Sequence, residues 1–66
     1  MTTITIPVRR IQPGDVFGDA DSGWEALEAP RTDSTGTVLK VQHIPDGGIG
    51  FRQWDDSDRE LQVQRP

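Results

Sequence analysis

Apolar and polar residues alternate along several short segments of the chain, which is the pattern of β-strands with one buried face. Two of these segments lie at the ends of the chain, at residues 2–8 and 60–64. Their apolar members are Ile4, Ile6, Val8, Leu61 and Val63. We therefore predict a half-buried strand near each end of the chain.

The most informative stretch, residues 37–54, consists of two β-rich runs around Pro45-Asp-Gly-Gly. Proline presets φ at the start of a turn, and Gly47 can adopt the positive φ that a bulge requires. This stretch predicts an antiparallel hairpin.

The register of that hairpin depends on the length of its loop. A three-residue loop pairs Val41 with Phe51 and Val38 with Trp54, whereas a two-residue loop pairs Val41 with Arg52 and mixes the two faces. We predict the three-residue loop. It sets Lys40 opposite Arg52, and we expect Glu25 or Glu28 to relieve that like-charge pair.

Residues 24–29, Trp-Glu-Ala-Leu-Glu-Ala, fit a strand or a short helix capped by Ser22. Pro30 would stop such a helix after barely two turns, so we predict a strand. Residues 31–36 are expected to form a turn-rich connector, and residues 55–58 an acidic turn.

Residues 11–17 read Ile-Gln-Pro-Gly-Asp-Val-Phe, in which Pro13 and Gly14 suit the centre of a type II turn. This motif resembles the entry turn of SH3-like small barrels, and residues 18–23 stand where such a barrel carries its long first loop. The resemblance implies a fold and carries no functional residues across. We predict one all-β domain over residues 1–66, a small five-stranded, partly open SH3-like barrel with a central antiparallel hairpin.

The chain has 66 residues, no cysteine and a net charge of -4. A domain of this size buries little core, and without disulfides or thiolate metal sites its stability must come from good packing or self-association, of which we favour a homo-oligomer. We expect a cytoplasmic protein without membrane contact, because no apolar run approaches a membrane span and no signal-peptide pattern is evident. A short, cysteine-free β domain richer in arginine than lysine resembles the accessory proteins of actinobacterial phages, which implies a role in modulating a host or virion protein.

Catalytic and metal chemistry find little support in the residue pattern. Asp19 and Asp21 have the spacing of the first two EF-hand ligands, but Gly23 comes one place early and no glutamate follows at the twelfth position. His43 has no obvious serine, cysteine or histidine partner, and we expect Asp15 to accept hydrogen bonds from its own backbone. We therefore predict no metal, no cofactor and no enzymatic activity.

The tryptophans offer a binding surface instead. On the three-residue register Phe51 and Trp54 point to opposite faces, so at least one tryptophan should be partly exposed unless both close the ends of the core. Tryptophan beside arginine is enriched in recognition hot spots. The predicted partner-binding residues are Trp24, Lys40, Arg52 and Trp54. The partner is expected to be a protein; the alternative is single-stranded nucleic acid, bound by Lys40 and Arg52 with Arg9, Arg10 or Arg31 beside an aromatic ring.

Overall fold

A computed structural model describes residues 2–18 and 23–66. Within these ranges the chain forms one antiparallel sheet of seven strands, together with a short 3-10 turn at Val8–Arg10. The strands are β1 (Thr2–Pro7), β2 (Val16–Gly18), β3 (Gly23–Ala26), β4 (Arg31–Asp33), β5 (Gly36–His43), β6 (Ile49–Trp54) and β7 (Glu60–Arg65). The all-β prediction is confirmed, and so is the strand predicted to begin near Trp24.

The sheet is strongly curled into a half-barrel, which confirms the partly open architecture. Its strand order is β1-β7-β2-β3-β5, with β3 and β4 paired to successive parts of β5 and β6 also paired to β5. Because β6 occupies residues 37–42 along one edge of β5, β3 and β4 must share its other edge. In the part of the chain that is described, β1, β4 and β6 each pair with a single strand and are therefore edge strands.

The described chain has two strands more than the predicted five, and one of them, β4, forms inside the expected connector. Asp33 accepts hydrogen bonds from the backbone N–H of Thr35 at 2.8 Å and from its hydroxyl, Oγ1, at 2.6 Å. This side-chain turn closes a two-residue connection, so that Arg31–Asp33 pairs with the start of β5.

The hairpin lies where the sequence predicts it, but its loop contains four residues and its register is shifted. The backbone N–H of His43 donates to the Gly48 carbonyl at 2.7 Å, which leaves residues 44–47 as the loop. The Asp46 carboxylate stabilises this loop by accepting from Gly48 N–H at 2.8 Å. Gly47 has φ +76°, the positive value expected of it.

The predicted strand pairs are consequently wrong by one residue. Val41 faces Gly50 rather than Phe51, and Lys40 faces Phe51 rather than Arg52. Trp54 faces Thr37 rather than Val38. The like-charge pair that acidic neighbours were expected to relieve does not form.

The core fills the concave side of the sheet. Its buried apolar residues are Val8, Ile11, Phe17, Ala26, Leu39, Val41 and Val63. Ile4, Ile6, Trp24, Trp54 and Leu61 are partly buried against it. The alternation predicted for the terminal strands is confirmed, because their apolar side chains face this core whereas Thr3 and Thr5 are exposed.

The Pro-Gly-Asp segment forms the expected type II turn. The N–H of Asp15 donates to the Gln12 carbonyl at 3.0 Å, and Gly14 has φ +93°. The Asp15 carboxylate accepts from the Gln12 N–H at 2.9 Å, as predicted. It also accepts two hydrogen bonds from the Arg65 guanidinium, at 2.8 and 2.9 Å, which attaches the end of β7 to the turn.

Candidate binding site

Three of the four predicted binding residues lie together on the concave face. Directly paired residues of an antiparallel sheet point to the same side. Arg52 pairs with buried Leu39 and Trp54 pairs with buried Thr37, so both project toward the core side of β6. Trp24 reaches the same side from β3, two residues before buried Ala26.

The Arg52 guanidinium lies between the two tryptophan rings. Its central carbon is 5.1 Å from the Trp24 ring centroid and 6.0 Å from that of Trp54. Both distances lie within the range of cation–π attraction. Each tryptophan also packs against a second ring. The ring centroids of Trp54 and Phe17 are 5.9 Å apart, and those of Trp24 and His43 are 4.6 Å apart. We call Trp24, Arg52 and Trp54 the aromatic cluster.

The aromatic cluster borders an open cleft of about 310 Å³. The lining residues come from β2, β3, β6 and β7, and they are Phe17, Gly18, Trp24, Arg52, Trp54, Leu61 and Gln62. Arg52 is the one charged residue among them. No acidic residue in the described part of the chain forms an ion pair with it. The cleft therefore combines apolar walls with a cation that has no carboxylate partner there.

Lys40 does not join this cluster. It lies on the convex face opposite Phe51, where a smaller depression of about 260 Å³ also includes Glu28 and Arg31. The strand-pairing shift explains the difference, because Lys40 and Arg52 were expected to face each other and instead point to opposite sides of the hairpin.

The other arginines considered for nucleic acid are also separated from the cluster. Arg9 donates to the Asp58 carboxylate at 2.6 Å, and Arg10 borders a groove with Arg9 and Arg65. The described basic residues therefore do not form one continuous face with the two tryptophans.

An apolar strip on the convex side of β6 was missed by the sequence reasoning. Phe51 is 69 % exposed and Ile49 is 57 % exposed, although both are large apolar side chains. The sequence does contain a signal for this strip, because Ile49, Phe51 and Gln53 alternate with Gly50, Arg52 and Trp54 and so share one face of the strand. It was obscured because the three-residue loop pairs Phe51 with Val41, a buried residue.

The candidate acid-base residues have structural partners. The pKa of Asp15 is lowered, chiefly by its hydrogen bonds from Arg65, and its side chain is buried. His43 Nδ1 lies 3.0 Å from the Asp46 carboxylate. The pKa of Asp46 is lowered, first by the Gly48 N–H and then by His43. Neither Asp15 nor His43 lines the cleft.

Within residues 2–18 and 23–66 no group of three or more histidine, cysteine or acidic side chains is placed to hold a metal ion. The aspartates with EF-hand-like spacing, Asp19 and Asp21, lie outside the described residues. In those same ranges no helix has the length and apolar character needed to cross a membrane.

Comparison of the chain with protein-family models, with curated proteins and with solved structures found no match in any of the three.

Proposed function

We propose that this protein is a non-enzymatic interaction module that binds a protein partner through the aromatic cluster of Trp24, Arg52 and Trp54. The observation that supports this function best is the Arg52 guanidinium held between two half-buried indole rings at an open cleft. Tryptophan and arginine are among the residue types most enriched at interface hot spots, the few positions whose truncation removes most of the binding energy.

The packing behind the cluster favours binding. Phe17 supports Trp54 and His43 supports Trp24, so the rings keep their positions without a partner. A partner that covers them therefore loses less conformational freedom in ordering the site. Lys40 is not included in the proposed site, because it lies on the convex face.

The resemblance of size and composition to accessory proteins of actinobacterial phages indicates where the partner is to be sought. We propose a host or virion protein met in the host cytoplasm. The SH3-like entry turn is compatible with such a module, since small barrels present their sites on a rigid sheet.

Affinity capture from a lysate of candidate host cells tests the protein-binding role. We expect Trp54→Ala and Arg52→Gln each to reduce capture of the partner at least fivefold, as loss of about 1 kcal/mol from a hot spot would. Thr5→Ala, on the exposed side of β1, serves as the control. Arg52→Gln alters an exposed side chain, so it separates lost binding from lost folding; if every captured protein survives both cluster substitutions, the proposal is wrong.

A second function is favoured by the same geometry, since an arginine between two tryptophans also suits stacking on single-stranded nucleic acid. The net charge of -4 and the separation of the other arginines oppose it. A fluorescence titration with a single-stranded oligonucleotide distinguishes the two. Affinity that falls steeply from low to moderate salt supports nucleic-acid binding, whereas no binding at low salt excludes it.

The proposal that the protein is not an enzyme is supported by the environment of Asp15. Asp15 is buried and already hydrogen-bonded to Arg65 and Gln12, so it has no access to a substrate in this arrangement.

A further inference from the structure

We propose, on the basis of the function proposed above, that the partner binds as an extended segment that adds a strand to β6. Its side chains would alternate, with apolar residues beside Ile49 and Phe51 and an acidic residue beside Arg52. The proposal commits to a short acidic-and-apolar peptide segment of another protein, paired through its backbone to the outer edge of the sheet.

The backbone of β6 supplies the first part of the argument. Hydrogen bonding alternates along an antiparallel ladder, so that every second residue points its N–H and C=O away from the neighbouring strand. His43 donates to Gly48 at the end of the hairpin, which places Val41 and Gly50 in the next hydrogen-bonded pair. Lys40 instead accepts from the Leu27 N–H at 3.0 Å, on the other side of β5.

Phe51 is paired with Lys40, so the N–H and C=O groups of Phe51 point away from β5 toward the outer edge of the sheet. By the same alternation Ile49 and Gln53 do so too. In the described part of the chain β6 pairs only with β5, so these donors and acceptors face an edge that no described strand covers. An edge of this kind is the usual site of strand addition.

The side chains supply the second part, because both faces of the edge strand carry contact groups. On the convex face Ile49 and Phe51 are more than half exposed. On the concave face Arg52 lies at the cleft and pairs with no carboxylate in the described chain. An added strand therefore meets apolar surface on one side. On the other side it comes within reach of the Arg52 side chain once the guanidinium turns from the Trp24 ring toward the edge, which selects an apolar-acidic-apolar alternation.

The charge of the cleft also favours a peptide over a second copy of this chain. Two β6 strands could place Ile49 and Phe51 of each copy side by side. However, the residues at and beside the concave contact, Gly48, Gly50, Arg52 and Trp54, include no acid, so neither copy would supply a carboxylate to Arg52. Only a segment of different sequence satisfies both faces of the edge.

The probe for this proposal is the capped heptapeptide Thr-Val-Thr-Val-Glu-Val-Thr, in which the valines lie on one side and the glutamate on the other. It is titrated into isotopically labelled protein while backbone amide resonances are recorded. We expect the largest shifts between Ile49 and Trp54, with slower hydrogen exchange at the Phe51 and Gln53 amides. A matched peptide with glutamine in place of glutamate should bind about fivefold more weakly, as loss of one exposed charge pair predicts.

Two protein variants test the edge and the charge separately. Gln53→Pro removes an outward N–H without removing a bond to β5, and we expect it to abolish peptide binding; Gln53→Thr keeps the donor and should bind normally. Arg52→Gln should remove the preference for glutamate over glutamine. Arg31→Gln, on the exposed strand β4, is the charge control and should leave that preference unchanged.

The following results would overturn the proposal. They are absence of binding, equal binding of both peptides, retained binding in Gln53→Pro, shifts at β6 that depend on protein concentration alone, or the same shifts with an oligonucleotide in place of the peptide. Failure of the proposed function is distinguishable from failure of strand addition. If Trp54→Ala loses the captured protein but Gln53→Pro retains it, the aromatic cluster binds a partner and strand addition is wrong.

Discussion

Asp15 shows how one residue can hold several parts of a small sheet together. Its carboxylate accepts from the Gln12 backbone within its own turn and from Arg65 at the end of β7. Its backbone carbonyl accepts from Ala26 N–H at the end of β3, at 2.8 Å. Loss of the carboxylate therefore affects contacts far apart in the sequence.

We expect Asp15→Asn to lower the free energy of unfolding at pH 7 by about 2 kcal/mol, because buried hydrogen bonds to a charged group are lost. Denaturant unfolding measures this change. Asp58→Asn, which alters an exposed ion pair with Arg9, should have little effect and serves as the control.

The stability of the wild type and that of Asp15→Asn should also respond differently to acid. The pKa of Asp15 in the folded state lies below its ordinary value of 3.8, chiefly because of Arg65. Its contribution to stability is therefore present above about pH 4 and is lost as the pH falls through the lower, folded-state pKa. We expect the stability difference between the wild type and Asp15→Asn to be constant from pH 7 to pH 5 and to shrink below pH 4; a difference that does not shrink as the pH falls below 4 would contradict this assignment.

Gly36, at the start of β5, is the glycine that the fold requires most strictly. It is buried with φ +132°, and a Cβ atom there would meet the carbonyl oxygen of Trp54. Gly36→Ala should cost about 1–3 kcal/mol of unfolding free energy, because both the backbone conformation and the contact are strained. Gly50→Ala meets no atom within 4 Å and should change stability much less. Equal effects of the two substitutions in thermal unfolding would show that Gly36 is not so constrained.

At the scale of strands, hydrogen exchange along β6 reports which of its amides face the open edge of the sheet. With Gly50 and Arg52 bonded to β5, and Phe51 and Gln53 facing outward, protection should alternate along the strand. We expect slow exchange at Gly50 and Arg52 and fast exchange at Phe51 and Gln53 in the protein without a partner. Slow exchange at Phe51 and Gln53 in the protein alone would show that this edge is already covered, and it would contradict strand addition to β6.

The strands could be predicted where alternation is long, as in β1, β5 and β7, because burial on one face leaves a visible period of two residues. The register of the hairpin could not. Its loop is extended by Asp46, whose carboxylate binds Gly48 and His43, and such a side-chain contact is not visible in the apolar pattern. The strand β4 could not be predicted for a related reason. Three residues are too few to show a period of two, and the pairing of β4 with β5 depends on the turn that the Asp33 side chain forms.

The aromatic cluster shows which part of a register error matters. Arg52 and Trp54 lie two residues apart in one strand, so they share a face in any register. Lys40 belongs to the other strand of the hairpin, so a shift of one residue moves it to the opposite face relative to them. The approach of Trp24 depends on the pairing of β3 with β5, a long-range contact that the residue pattern did not specify.

For the molecule as a whole, small size makes each core side chain important. The Cα radius of gyration is 11.0 Å, close to the value of about 11 Å expected for this length. A domain of this size is stabilised by roughly 3–10 kcal/mol. Buried and exposed apolar residues should therefore differ sharply in their effect on stability, and the difference tests which face of the half-barrel contains the core.

Leu39 and Phe51 form the most direct comparison. Leu39 is 1 % exposed at the centre of β5, and Leu39→Ala should cost about 2–5 kcal/mol, which is enough to unfold much of the protein at 37 °C. Phe51 is the larger side chain but is 69 % exposed, so Phe51→Ser should change the unfolding free energy by less than about 1 kcal/mol. If Phe51→Ser were as destabilising as Leu39→Ala, Phe51 would belong to the core with Val41 and would no longer be exposed for strand addition. If Phe51→Ser leaves stability intact but weakens binding of the valine-rich peptide, the exposed ring serves a partner and not the fold.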